Sequence, residues 1–322
     1  MSISVEHVPV MVDRIVELLS PALTGDESIM VDATLGAAGH ATVFLKLFPK
    51  LQIIGIDRDP QAAQLALSNL TSTFGENVTS RFRMLEVEYD QIESAVKQLQ
   101  ISEVDAVLFD LGVSSMQLDQ QNRGFSYSKS APLDMRMNSS TGVTAAELVN
   151  TADVRDLIRI LKVYGEEKFA TRIANEIVKA RSKTPFETTD QLVALLYEVI
   201  PAPARRTGGH PAKRTFQALR IAVNDELQIL EKAIPAALNL LKVGGRIAVL
   251  SYHSLEDRIV KQAFRTAMGE QPMPGLPLPP APAKLKLLTK GAERPAAAEV
   301  ALNPRAASAK LRAAEILIKA AA

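Results

Sequence analysis

Short apolar runs bounded by charges or turn residues recur along the chain, at Ile29–Ala33, Leu51–Ile56, Val104–Phe109 and Arg246–Ser251. Continuous apolarity over four to eight residues fits a strand buried on both faces. Helical patterns separate the runs. Asp59-Pro60 pairs an N-cap residue with a first-turn proline, and the helix it starts is expected to bury Ala63, Leu67 and Leu70. Strands alternating with helices predict an α/β fold, a Rossmann-like parallel sheet covered on both faces.

The middle of the chain breaks this rhythm. From about Thr144 to Val199 the pattern is helical throughout. Phe169, Ile173 and Ile177 repeat every four residues on an inner face, with Glu166, Glu167, Lys168 and Arg172 placed towards solvent. Gly208-Gly209 punctuates a basic loop, a helix resumes near Arg214 or Thr215, Pro235 kinks or restarts it, and Gly244-Gly245 ends it. The expected organisation is a core in two parts, 1–134 and 214–322, around an inserted all-helical domain at 135–213. The Pro- and Ala-rich stretch Gln271–Pro304 reads as loop. Lys310–Ile318 suits either an edge strand or, by its alanines, a helix.

Composition narrows the chemistry. The 322 residues contain no cysteine, which excludes disulfides, thiolate zinc sites and cysteine nucleophiles. His7, His40, His210 and His253 lack the spacing of a zinc site, so no metal is expected. Neither a signal peptide nor an uninterrupted membrane-length apolar run is evident, and a soluble cytoplasmic protein is expected. The net charge is +1, so any nucleic-acid surface must be local.

Three carboxylates follow strand runs. Val31-Asp32 leads into the small-residue turn Ala33-Thr34-Leu35-Gly36-Ala37-Ala38-Gly39-His40, Asp57 follows Ile53–Ile56, and Asp110 follows Phe109. Ligands of open α/β sheets sit beyond the carboxyl ends of the strands, and an acid at the second strand end is placed to accept bonds from ribose hydroxyls. The turn lacks the first glycine of G-x-G-x-x-G, and Asp32 suits a ligand with a cationic amino-acid end better than a pyrophosphate. Asp110 read alone is equally a turn aspartate.

With three longer blocks added, the chain resembles the bacterial ribosomal RNA small-subunit methyltransferase H (MraW) family. The blocks are Arg123–Ser126 with Pro132–Met137, His210–Arg220, and Ser251–Arg258; Asn303–Ala306 with Leu311-Arg312 resembles the closing motif. The resemblance runs from His7 to Arg312. It implies a class I methyltransferase sheet, S-adenosylmethionine as cofactor, and N4-methylation of a cytidine in the decoding region of small-subunit (16S) ribosomal RNA, within the small ribosomal subunit. It assigns Ala38, Gly39, His40, Asp57, Tyr89, Asp110 and Gln117 to the cofactor; the family commonly has glycine at Ala38 and Phe at Tyr89.

Asp110, Ser114 and Ser115 are expected to line the methyl site, with Asp110 as acceptor for the amine. His253 is a second candidate proton acceptor, although a His in a Ser-His-Ser loop is commonly structural. The Pro-Pro-aromatic signature of many amino-methylating enzymes is replaced here by Asp110-Leu111-Gly112-Val113. Arg205, Arg206, Lys213, Arg214 and Arg220 form the densest basic stretch and are expected to contact RNA phosphates, with Phe125 and Tyr127 available to stack on a base. An NAD-dependent oxidoreductase, a DNA amino-methyltransferase and a non-enzymatic RNA-binding assembly factor are the alternatives.

Overall fold

The computed structural model describes residues 9–113, 121–205, 209–269 and 282–319. Its contacts divide into two compact units, Met1–Gly112 with Leu227–Ala322, and Val113–Glu226. The chain opens with α1 (Val12–Leu19), β1 (Ile29–Asp32), α2 (Gly39–Leu47), β2 (Gln52–Ile56), α3 (Pro60–Phe74), β3 (Phe82–Leu85), α4 (Ile92–Gln98) and β4 (Val104–Asp110). Asp59 caps α3 by accepting the Gln61 amide, and Pro60 holds the first helical position. The buried face of α3 is Ala62, Ala63, Ala66 and Leu70, whereas Leu67 is 43% exposed. Small residues let this helix sit close to the sheet, which rotates the expected apolar stripe by about one position.

The second unit is helical: α5 (Ala145–Thr151), α6 (Val154–Val163), α7 (Ala170–Arg181), α8 (Thr189–Val199), the single turn α9 (Ala202–Arg205) and α10 (Lys213–Asn224). Ile173 and Ile177 are fully buried in its core, as their spacing predicts. Glu167 is buried rather than solvated, because its carboxylate accepts the Phe169 amide before α7. The unit is wider than the expected 135–213 at both ends. Phe125 and Leu133 on one side, and Phe216 and Leu219 of α10 on the other, belong to its core.

The chain returns through α11 (Glu226–Leu240), with Pro235 inside it, β5 (Leu241–Ser251), α12 (Ser254–Met268), β6 (Leu285–Leu287), α13 (Ala297–Leu302) and β7 (Lys310–Ile316). The stretch expected to be loop thus carries a strand and a helix. β7 is no edge: it lies antiparallel between β5 and β6 in the sheet order β3-β2-β1-β4-β5-β7-β6. Its alanines Ala313 and Ala314 are fully buried, one on each face of the sheet. The parallel part, 3-2-1-4-5, is the Rossmann-like arrangement, with its topological switch point between β1 and β4. Met30 and Ile53 pack on one face with Phe44, and Val31, Ile54 and Phe109 on the other with Ile234 and Phe264. No helix among the described residues is long and apolar enough to cross a membrane.

Gly55 on β2 pairs with Asp32 of β1 and leaves no room for a side chain: a methyl there would lie 2.7 Å from Leu35 Cδ2 and 3.0 Å from Phe82. Gly55→Ala therefore displaces Leu35 within the β1–α2 turn. A loss of about 1–3 kcal/mol is expected in urea unfolding.

Candidate functional site

The carboxyl ends of β1, β2 and β4 bring the three acids to one end of the sheet unit. Asp32 pairs in register with Gly55 and Leu108, so Asp57 and Asp110 each stand two residues further along their strands. Asp32 is 2% exposed, and burial, with the nearby charges of Asp110 and Asp57, pushes its carboxyl up to about 7. Thr34 partly offsets this by donating its amide to Asp32 Oδ1 at 3.4 Å. Burial also raises Asp57, whose two oxygens accept the amides of Gly36 and Asp59, each at 2.9 Å. A carboxylate offers about four acceptor positions, so these two bonds orient Asp57 and leave capacity for ligand hydroxyls.

The turn after β1 is tight. Leu35 accepts the Ala38 amide, and both Gly36 and Ala38 have positive φ, 53° and 63°. Glycine adopts this region freely, whereas for alanine it costs about 1–2 kcal/mol. Ala38 is the N-cap of α2 and has no side-chain cap hydrogen bond to offer. Asn69 of α3 donates to Ala37 O at 3.0 Å and ties the turn down. The Pro9 ring sits against Gly39, where a methyl would meet Pro9 Cγ at 2.9 Å.

His40 is buried, its Nε2 3.1 Å from the Val10 carbonyl and its Nδ1 3.7 Å from Asp110 Oδ2. A carbonyl only accepts, so Nε2 carries a proton. Asp110 is held from two further sides: its amide donates to Thr34 Oγ1 at 2.6 Å, and its Oδ1 accepts the Tyr252 hydroxyl at 2.7 Å. Thr34 lies in the small-residue turn and Tyr252 in the block Ser251–Arg258, but nothing in their sequence positions signals that both act on Asp110. Tyr89 follows β3 and meets Phe109 edge-on at 5.7 Å. Gln117, Ser114 and Ser115 lie outside the described residues.

His253 has another occupation. Its Nδ1 accepts the Glu256 amide at 3.4 Å, and Glu256 reaches back to the Tyr252 and His253 amides, a capping box at the start of α12. Nε2 lies 3.0 Å from Glu256 Oε1, close but without hydrogen-bond alignment. The ring is held at one helix end through Nδ1 and acts there as a cap, which is the structural role of a His in a Ser-His-Ser loop.

Within the helical unit the basic residues part company. Lys213 and Arg214 at the start of α10 are exposed, Arg214 donating to Glu166 O at 3.2 Å. Arg205 lies 5.7 Å from the Tyr197 ring centroid, and Arg206 lies outside the described residues. Arg220 is no phosphate ligand: its guanidinium is closed on Glu226 by two bonds of 2.9 and 2.8 Å, with both side chains largely buried. Phe125 is buried in the helical core and offers no ring face to a base, while Tyr127 has one face stacked on His210 at 4.4 Å.

The model of the MraW methylase family matches residues 4–317. The ribosomal RNA small subunit methyltransferase H of Mycolicibacterium smegmatis is 58% identical over 316 residues, covering 96% of this chain and 83% of that one. Its namesake from a Nocardioides species is 55% identical over 319 residues, covering 98% of each. Among solved structures, an rRNA methylase from Streptococcus thermophilus is similar at 14% identity and a TM-score of 0.42, with 95% of this chain and 93% of that one covered.

The raised Asp32 carboxyl sets a pH dependence. Its folded value, about 7, lies above the 3.8 of an unperturbed carboxyl. Between those values the folded state binds more protons than the unfolded one, so this group's contribution to stability falls as pH rises and levels off above about 7. Asp32→Asn removes that contribution. In urea melts of the ligand-free protein from pH 4.5 to 8, the variant is expected to gain on the wild type steadily up to about pH 7. A pH-independent difference would show that Asp32 ionises normally.

Proposed function

The chain belongs to the MraW methylase family, and from that premise we propose that it methylates the N4 amine of a cytidine in the decoding region of small-subunit ribosomal RNA. The substrate is the RNA as it stands in the small ribosomal subunit, in the cytoplasm. The cofactor is S-adenosylmethionine. One observation carries the reading of the site: three acids at adjacent strand ends, Asp32 buried with its carboxyl raised to about 7 and Asp57 and Asp110 partly exposed to the crevice, suit a cationic ligand. When bound, S-adenosylmethionine supplies an electrophilic methyl group on a positively charged sulfur.

The residues divide the work. Asp57, oriented by the Gly36 and Asp59 amides, accepts from the ribose hydroxyls. Asp32 provides negative charge for the cationic amino-acid end. Ala38, Gly39 and His40 bring the backbone of the turn and the first turn of α2 against the ligand, and Tyr89 lies against the adenine, with Gln117 a further contact. Asp110, fixed by Tyr252 and Thr34, accepts from the target amine, aligns it and takes up its proton. Lys213 and Arg214, with Arg205 and Arg206, contact RNA phosphates.

Methyl transfer from labelled S-adenosylmethionine to isolated small ribosomal subunits, followed by nucleoside analysis, is expected to give N4-methylcytidine; label in a different nucleoside would sink the assignment. Asp57→Ala should lose roughly 1.5–3 kcal/mol of cofactor affinity, the scale of a hydrogen bond to a charged group, measured by calorimetry. Lys213→Ala with Arg214→Ala should weaken RNA binding and flatten its log–log salt dependence by a little under one unit per lost contact. Across the same salt series Arg220→Lys, which keeps the charge inside its pair with Glu226, should retain the wild-type slope.

A further inference from the structure

Asp110 is the acid whose orientation matters most if it receives the amine, and its rotamer is set by a side chain with no assigned part. Tyr252 follows the last residue of β5, and β5 pairs in parallel with β4 so that Leu250 stands beside Asp110. The phenol thereby reaches across and donates to Asp110 Oδ1 at 2.7 Å. Its ring packs beside Gly112, where a methyl would sit 3.4 Å from Tyr252 Cδ2, so one side chain supports both the acid and the turn after it. The hydroxyl is mostly buried, and burial together with the charge of Asp110 raises it well above the usual phenol value. It therefore remains a donor throughout the working pH range.

We infer that Tyr252 is a positioning residue for methyl transfer: its hydroxyl holds the Asp110 carboxylate, with Oδ2 towards His40, in the orientation that meets the target amine. The inference rests on the reading of Asp110 as amine acceptor. The charged and titratable groups around the pair are His40 on α2, Asp32 at the end of β1, and Glu256 and Glu299 on the far side of Tyr252. A phenol that merely filled space would tolerate loss of its oxygen. One that orients Asp110 would not, because the carboxylate then loses a charge-assisted bond and turns within the crevice.

The test uses full-length Tyr252→Phe, Asp110→Asn and the double variant, assayed on isolated small ribosomal subunits with labelled S-adenosylmethionine. Tyr252→Phe is expected to lower kcat about ten- to a hundredfold, the rate equivalent of one hydrogen bond to a charged group. KM for the cofactor should stay within about twofold, and the acid limb of the kcat–pH profile should move to higher pH, because Asp110 has lost a donor that favours its ionised form. The double variant should be no slower than Asp110→Asn, since the hydroxyl acts only through the carboxylate. If Asp110→Asn is slow while Tyr252→Phe matches the wild type, or if the two losses multiply in the double variant, the positioning role is overturned and the reading of Asp110 survives. Wild-type turnover in Asp110→Asn overturns both. If thermal melting shows that Tyr252→Phe does not fold, Tyr252→His, which keeps a ring and a donor, is compared with Tyr252→Leu: equal kcat in the two would overturn the role.

Discussion

Three like charges at the ends of adjacent parallel strands are the constraint to which the rest of the site answers. The register of β1 with β2 and β4 makes their convergence unavoidable once Asp32, Asp57 and Asp110 end their strands. Burial without compensation would force such groups to neutralise, and Asp32 is well along that road. The protein holds the other two by aiming donors at them: backbone amides from both sides of the crevice for Asp57, and a phenol for Asp110. What remains uncompensated is a preference for positive charge, and that selects against a pyrophosphate on the same scaffold more firmly than the altered glycine spacing does.

The sheet's central strands were legible because they are buried on both faces and so read as unbroken apolar runs. β3 and β6 were not. Phe82–Leu85 places Arg83 between apolar residues at one edge of the sheet, and Leu285–Leu287 has three residues at the other edge, with Lys286 and Leu287 exposed. Neither carries enough apolar sequence to announce a strand, and both exist because a neighbour supplies the hydrogen bonds. β7 failed differently. Its alanines satisfy either periodicity, and only the space between β5 and β6 decides for a strand.

The same distinction runs through the site. Asp32, Asp57 and Asp110 could be found because each marks the end of its own strand. Tyr252 and Thr34 could not, since each acts on a residue of a different strand, and lateral order is invisible until the sheet is assembled. The cap was legible from sequence, because His253 precedes Glu256 by three residues, the spacing of a capping box; the Arg220–Glu226 pair was not, because it closes across the break between α10 and α11. Residues in a long recognisable block attract functional readings, yet a block keeps its structural members as strictly as its chemical ones.

The β1–α2 turn shows where the fold gives up stability to make a site. α3 and α12 leave their strand ends with side-chain caps, Asp59 and His253, and an aspartate cap is worth about 1 kcal/mol. α2 begins instead at Ala38, a left-handed residue with no side-chain cap, in a turn that needs Asn69 and Pro9 to hold it down. A serine or aspartate at that position would carry its polar group into the core, because the Ala38 Cβ is fully buried. A glycine would relieve the backbone. Alanine is the compromise: its methyl is buried in the same core as Ala41 and Phe44, which offsets part of the conformational cost, and it brings no polar atom of its own to the first turn of the helix.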